Sequence, residues 1–208
     1  MSAPALQPKL FVITAPSGAG KTSLVRELMA EDVSLAHSVS YTTRKPRPGE
    51  AHGKDYFFIA RPEFERLRAA GEFLEHAVVF DNHYGTSRTQ IEGFLAEGRN
   101  AVLEIDWQGA RQVRASMPAC VSVFILPPTR AALEHRLRGR GTDSAEVVTR
   151  RLRDAVADMS HWEEADFVVV NDDFERALVE LRSILAGLGA GLGRDRAELG
   201  PLVATLLA

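Results

Sequence analysis

The chain has 208 residues, 45% of them hydrophobic, a net charge of −3 and a pI near 6.1. That is enough apolar material for one compact domain with a small inserted lobe, and the slight acidity argues against a nucleic-acid binder working by bulk attraction. The lone cysteine, Cys120, cannot close an internal disulfide; a reducing compartment and a core position beside the apolar run Val121–Leu126 are expected for it.

The opening residues MSAPALQPK lack the basic start and apolar centre of a signal peptide, and no apolar run reaches the length of a membrane span. A cytoplasmic protein with neither membrane nor nucleic-acid partner is expected. The six histidines show no H-E-x-x-H or paired Cys/His spacing, and no G-x-S-x-G elbow occurs, so a zinc site and a serine hydrolase have no support.

The first element sets the theme. Leu10-Phe11-Val12-Ile13 is a short β-rich run of the kind buried on both faces of a sheet. Ala15-Pro16-Ser17-Gly18-Ala19-Gly20-Lys21-Thr22 follows, and then Leu24, Val25, Leu28 and Met29 at helical spacing. A strand, a small-residue turn and a helix opening at Lys-Thr form a phosphate-binding loop. Glycines let backbone amides close around phosphate oxygens, and the helix N-terminus adds its dipole. Lys21 is expected to hold the β- and γ-phosphates of a nucleoside triphosphate, and the Thr22 hydroxyl to ligate Mg²⁺. The formal motif begins with Gly where this chain has Ala15, and alanine resists a positive φ.

After a helix ending near Glu31-Asp32, Ser38-Val39-Ser40 reads as a short strand, and the prolines and glycine of Arg44-Lys45-Pro46-Arg47-Pro48-Gly49 make a rigid loop. Asp55–Ile59 reads as a strand, Pro62 opens a helix that stops at Gly71, and Phe73–Phe80 is strand-like. Asn82–Gly85 reads as a turn before a helix carrying Ile91, Phe94 and Leu95, closed by Gly98. From Ala101 the rhythm is strand, helix, strand. Ala101–Asp106, Val121–Leu126 and Phe167–Val170 are strands; helices lie around Gln108–Ser116, Arg130–Arg138, Ala145–Trp162 and Phe174–Leu185. That alternation implies an α/β fold with a parallel sheet covered on both faces, and 38–98 is an inserted mixed lobe. Val148, Leu152, Ala155 and Met159 form a core stripe. Gly187–Gly200, with five glycines, reads as a flexible linker before the apolar Leu202–Leu207, which is expected to dock on the domain or on another subunit of a homo-oligomer.

The segments SVSYTTRKPRPGE, HGKDYFF, FLEHA, YGTS, LEIDWQGA, FILPP, RLRGRGTDS and VVNDD stand in the order and spacing of the guanylate kinases, and the chain resembles that family from Leu10 to about Leu185. The tail also looks like the bacterial form. The resemblance implies a P-loop NTPase-like three-layer fold with a parallel-sheet core, a mixed GMP-binding lobe and a helical lid. It implies ATP:GMP phosphotransfer with Mg²⁺, giving GDP and ADP, with dGMP as a second acceptor and a role in guanine nucleotide synthesis and recycling. The division it suggests is a kinase domain at 8–186, with core 8–37, 99–129 and 164–186, lobe 38–98 and lid 130–163, followed by a tail at 187–208.

By family position, Arg44 and Arg47 offer forked donors to the GMP phosphate, with Ser40 just upstream and the Tyr56 and Tyr84 hydroxyls beside them. Glu75 takes the two guanine N–H donors, with the Thr86 hydroxyl at the base; adenine presents no such pair. Glu104 and Asp106 stand two apart at the end of a strand, so their side chains point the same way. Asp106 belongs to the Mg²⁺ shell through water, and Glu104 orients the acceptor, although the family often has Asp at position 104. Seven arginines lie between Arg130 and Arg153. Arg136, Arg140 and Arg151 are the expected catalytic set with Lys21 and Arg44, stabilising charge on the transferred phosphoryl group. Asn171 is the expected neighbour of adenine.

Two other readings compete. A guanylate-kinase-like scaffold domain that binds peptides is expected to carry a damaged phosphate loop or lid, whereas Gly18, Gly20, Lys21, Arg44 and the lid arginines are in place. A P-loop kinase for another acceptor is expected to lack the set Glu75, Thr86, Glu104, Tyr56 and Tyr84, which is complete.

Overall fold

The computed structural model describes residues 7–79, 81–139 and 145–208. In chain order the elements are β1 (Leu10–Thr14), α1 (Lys21–Glu31), β2 (Ala36–His37), β3 (Tyr41–Thr42), β4 (Phe57–Phe58), α2 (Arg61–Ala69), β5 (Phe73–Val79), β6 (Asn82–Ser87) and α3 (Arg88–Ala96). There follow β7 (Ala101–Glu104), α4 (Trp107–Ser116), β8 (Val121–Leu126), α5 (Arg130–Arg138), α6 (Ala145–Met159), a 3-10 turn at Trp162–Glu164, β9 (Phe167–Val170), α7 (Phe174–Leu185) and α8 (Leu199–Leu207). The strands form a five-stranded sheet in the order β2-β7-β1-β8-β9 and a four-stranded sheet in the order β4-β3-β6-β5. The first carries parallel pairs throughout its described registers, as the alternating pattern requires; the second is mixed, with β3 parallel to β4 and antiparallel to β6.

The chain divides into two compact units. One holds the chain through Leu10, Ser34–Leu103 and Gln108–Cys120; the other holds Phe11–Val33, Glu104–Trp107 and Val121–Ala208. In the second unit, β1 is buried along its whole length, and β8 pairs with it in the register Phe11↔Val121 to Thr14↔Phe124. Two helices of this unit begin where a side chain relieves orphan backbone donors. Thr129 caps α5 through Ala132 N–H at 3.0 Å, and Asp173 caps α7 through Arg176 N–H at 2.9 Å. Each such cap is worth about 1 kcal/mol. The expected stripe on α6 is core: Val148, Ala155 and Met159 are buried, and Leu152 packs against their cluster.

Beyond Leu185 the chain is not a linker. Val168 N–H donates to Leu192 O at 3.0 Å, Phe167 bridges Gly193, and Arg196 donates to Val168 O at 2.6 Å, so 192–196 runs along β9 as an added edge. α8 then lays Leu199, Val203 and Leu206 into the cluster with Val148, Ala155 and Met159. Gly189 and Gly193 serve close approach, where a Cβ would lie 3.0 Å from Phe167 and 2.5 Å from Asp195 Oδ1, and the terminal apolar run docks inside its own chain.

In the other unit, β5 and β6 are antiparallel partners from Glu75↔Thr86 to Val79↔Asn82. Phe64 is fully buried and stacks on Phe73 at 4.6 Å. The expected turn at Asn82–Gly85 is strand instead. The reversal shows at Asp81, with φ 64°, and Gly85 is needed because a Cβ there would lie 2.9 Å from the Phe73 ring. The strand expected at Ser38–Ser40 is replaced by β2 and β3 on either side of it, and Asp55–Ile59 contributes only Phe57–Phe58. Cys120 is half-buried at the end of the turn before β8 rather than in the core.

Candidate active site

The phosphate loop occupies the turn from β1 to α1. Gly18 and Gly20 have φ of 93° and 98°, values that only glycine adopts freely. Ala15 has no positive φ, so the methyl group that breaks the formal motif costs nothing in backbone strain. Pro16 O accepts from Ala19 N–H at 3.2 Å and closes the loop. Two side chains brace it. Asn171, at the end of β9, donates from Nδ2 to Ala19 O at 2.7 Å, and Arg136 of α5 donates to Asn171 O at 2.9 Å and Ala19 O at 3.4 Å.

Lys21 opens α1 partly buried, with Nζ donating to Ile105 O at 2.9 Å. Burial pushes its ammonium below the ordinary value, and the Glu104, Asp106 and Asp158 carboxylates oppose that shift. β7 ends at Glu104, so Asp106 stands in the connection to α4 and not on the strand. The Thr22 hydroxyl sits on the exposed first turn of α1. Arg151 of α6 donates from Nη2 to Ser17 Oγ at 2.8 Å, which brings this arginine onto the loop. Arg140 lies outside the described residues. Behind the loop, a cavity of about 430 Å³ is lined by Gly18, Gly20, Ser23, Arg136, Asn171 and the Asp172–Phe174 segment. Its size suits a nucleoside, and Asn171 lines it while its amide is committed to Ala19.

The acceptor-side residues gather in the other unit. Arg44 makes a two-pronged pair with Glu50, Nη1 to Oε2 at 2.9 Å and Nη2 to Oε1 at 2.8 Å. Its guanidinium lies 5.4 Å from the Tyr56 ring centre and 5.7 Å from that of Phe58. A hydrogen bond with Tyr84 adds to the Glu50 bond in raising the Arg44 pKa, and the Tyr56 and Tyr84 rings meet edge to face at 5.9 Å. Arg44, Tyr56 and Tyr84 therefore form one cluster, which Thr42↔Tyr84 pairing of β3 with β6 assembles.

Glu50 is a partner that the sequence reading missed. It also accepts from Arg47 N–H at 2.7 Å, and these bonds hold its carboxyl below the usual range. The signal was an acid closing the Pro-Arg-Pro-Gly turn six residues after Arg44. Arg47 itself is exposed, while Ser40 is half-buried with its carbonyl accepting from Phe57 N–H at 2.9 Å. Glu75 is buried at 5% exposure, and Thr86, fully buried opposite it, donates from Oγ1 to its Oε1 at 2.6 Å. A buried carboxylate held in place by a short hydrogen bond is a strong, oriented acceptor group.

The model of the family "Guanylate kinase" matches residues 7–188. A guanylate kinase of Methylococcus capsulatus is 58% identical over 95% of this chain and 97% of its own length, and one of Escherichia coli is 48% identical over 97% and 99%. A crystal structure of guanylate kinase from Anaplasma phagocytophilum aligns with a TM-score of 0.70 at 35% identity, covering 94% of this chain and 93% of that one. Phosphate loop, guanidinium–phenol cluster, buried carboxylate and these likenesses agree: the chain belongs to the guanylate kinase family.

Proposed function

We propose that this chain transfers the γ-phosphate of ATP to GMP, and to dGMP, releasing ADP and GDP as a cytoplasmic step in guanine nucleotide synthesis and recycling. The observation that carries the acceptor assignment is the buried Glu75 held by Thr86 at 2.6 Å. A buried carboxylate complements the adjacent N1–H and N2–H₂ donors of guanine, a pair that adenine does not present, and a mismatch at such a group costs about 1–3 kcal/mol or more, which disfavours other bases. Arg44, Arg47, Ser40, Tyr56 and Tyr84 take the GMP phosphate, and Glu104 orients the acceptor nucleotide. The core, lobe (38–98) and lid (130–163) act as the three working parts.

At the donor, amides of Ala15–Thr22 surround the phosphates and Lys21 exchanges Ile105 O for the β- and γ-phosphate oxygens. A partly buried ammonium gains more from that anion than from a carbonyl, because water screens the pair less than it would in bulk solvent. Arg136, Arg151 and Arg140 stabilise charge spread over the transferred group, while Asn171 borders adenine. The residues present fit Mg²⁺. The Thr22 hydroxyl is accessible, Asp106 acts on the neighbouring Lys21 ammonium, and both are hard oxygen donors. Among the described residues no three His, Cys, Asp or Glu cluster as a cage, which suits an ion held largely by substrate phosphates. Thr22 and Asp106 are the residues that would hold Mg²⁺, which would supply charge neutralisation at the phosphates.

The test is ADP release with ATP and Mg²⁺ against GMP, dGMP, AMP, CMP and UMP. GMP is expected to be the fastest ribonucleotide acceptor, and Lys21→Ala to abolish turnover. A faster reaction with another ribonucleotide would overturn the acceptor assignment and leave the donor site standing.

A further inference from the structure

Three consecutive residues after β7 face the same region. Ile105 O receives Lys21, the Asp106 carboxylate acts on that ammonium, and the Trp107 side chain grips α6. The grip has an edge and a face. Trp107 Nε1 donates to Asp158 Oδ1 at 3.2 Å, and the indole lies flat on the His161 ring, centroids 3.6 Å apart and planes 13° apart. His161 is itself oriented by Glu164, whose Oε1 lies 2.7 Å from Nδ1. Asp158 is half-buried, and that burial, against the indole hydrogen bond, raises its carboxyl pKa above the ordinary value. The Asp158 charge also acts on the Lys21 ammonium, but the Trp107 and His161 contacts have no part in the phosphotransfer reaction described above.

Asp158 stands seven residues beyond Arg151 on the same face of α6, about 10 Å along the helix axis. A helix is stiff over that length, so fixing its end at Asp158 and His161 fixes where the Arg151 guanidinium falls. Arg151 touches Ser17 of the phosphate loop at 2.8 Å. We propose that Asp158, Trp107 and His161 form a latch that sets the root of α6 and thereby positions Arg151 over the phosphates; the three are positioning residues. The inference rests on the role of Arg151 given above. The latch joins that arginine to the Ile105–Trp107 segment that seats Lys21, so both cations share one reference point.

The experiment compares Asp158→Ala, Asp158→Asn and Trp107→Phe in the full chain and in an Arg151→Ala background. Misplacing a catalytic group by about 1 Å costs up to about 100-fold, so Asp158→Ala and Trp107→Phe are expected to lower kcat about 10- to 100-fold with KM for ATP and GMP nearly unchanged. Asp158→Asn keeps an oxygen acceptor for the indole and is expected to restore kcat. In the Arg151→Ala background the latch substitutions are expected to cause no further loss. Should Asp158→Ala fail to fold, Trp107→Phe, which keeps the ring stack, carries the same comparison. Unchanged kcat in Asp158→Ala and Trp107→Phe, or an equal loss with and without Arg151, overturns the latch alone. Full activity in Arg151→Ala overturns the role of Arg151 and the latch with it.

Discussion

Thr86 and Glu75 face each other across β5 and β6, and the threonine hydroxyl donates to Glu75 Oε1 at 2.6 Å with both side chains buried. The bond fixes the carboxylate plane, and a carboxylate has two oxygens with several acceptor positions between them. Glu75→Gln replaces an acceptor by an NH₂ group that opposes a guanine N–H. Hydrogen bonds to charged groups are worth about 1.5–3 kcal/mol, so kcat/KM for GMP is expected to fall about 10- to 150-fold. Thr86→Val, which removes the fixing bond and keeps the shape, is expected to fall by a smaller factor in the same parameter. Steady-state kinetics at saturating ATP checks both. Equal kcat/KM in Glu75→Gln and the parent would remove Glu75 from the base site.

Ala15 and Gly20 make opposite predictions within one loop. Ala15 occupies an ordinary backbone conformation, so Ala15→Gly is expected to restore the formal motif without gain, lowering stability by about 0.4–1 kcal/mol through chain entropy. Gly20 has φ 98°, and a Cβ there would lie 2.3 Å from Asn171 Nδ2, the atom that holds Ala19 O. Gly20→Ala combines left-handed strain of about 1–2 kcal/mol with the displacement of that brace. Thermal unfolding and ATP titration check the pair. A higher ATP affinity in Ala15→Gly would show that the motif's first position acts through something other than backbone freedom.

The contrast shows what sequence carries. Periodicity and end signals place α5 and α7 at their observed limits, because Thr129 and Asp173 cap them locally. Gly18, Gly20, Lys21 and Thr22 are legible for the same reason: their chemistry is a matter of adjacent residues. Contacts between distant segments are not legible. Gly85 looks like a turn residue until Phe73 is seen above it, and Gly187–Gly200 looks like a linker until β9 supplies backbone partners. Glu50 pairs with Arg44 only once the Pro-Arg-Pro-Gly turn folds back, and the Asp158–Trp107 bond spans 51 residues.

Glu50 makes a prediction in pH. Hydrogen bonds from the Arg44 side chain first, and from Arg47 N–H second, hold its carboxyl below the ordinary 4.5. A depressed carboxyl pKa contributes stability above the unfolded value and loses it as pH falls through the folded one. Glu50→Gln is therefore expected to lower the thermal midpoint at neutral pH, with the gap to the parent closing as the pH drops below 4.5. The same substitution unlocks Arg44 and is expected to raise KM for GMP. A gap that stays constant on acidification would mean that the charge on Glu50 contributes nothing to the fold.

Leu206 distinguishes the two uses open to the terminal apolar run. It is fully buried against the cluster that includes Val148, Ala155 and Met159 of α6, and Leu199 and Val203 of α8 share that face. Truncating a buried leucine to alanine costs about 2–5 kcal/mol, so Leu206→Ala is expected to lower the thermal midpoint markedly. Thr205, exposed on the other side of α8, gives a control expected within about 0.5 kcal/mol of the parent as Thr205→Ala. If the run instead served a second copy of the chain, Leu206→Ala would change the sedimentation profile while leaving the midpoint of the dissociated protein alone. Since α8 packs on the helix that bears Arg151, the loss is also expected to reach turnover: kcat should fall with the midpoint in Leu206→Ala and stay level in Thr205→Ala.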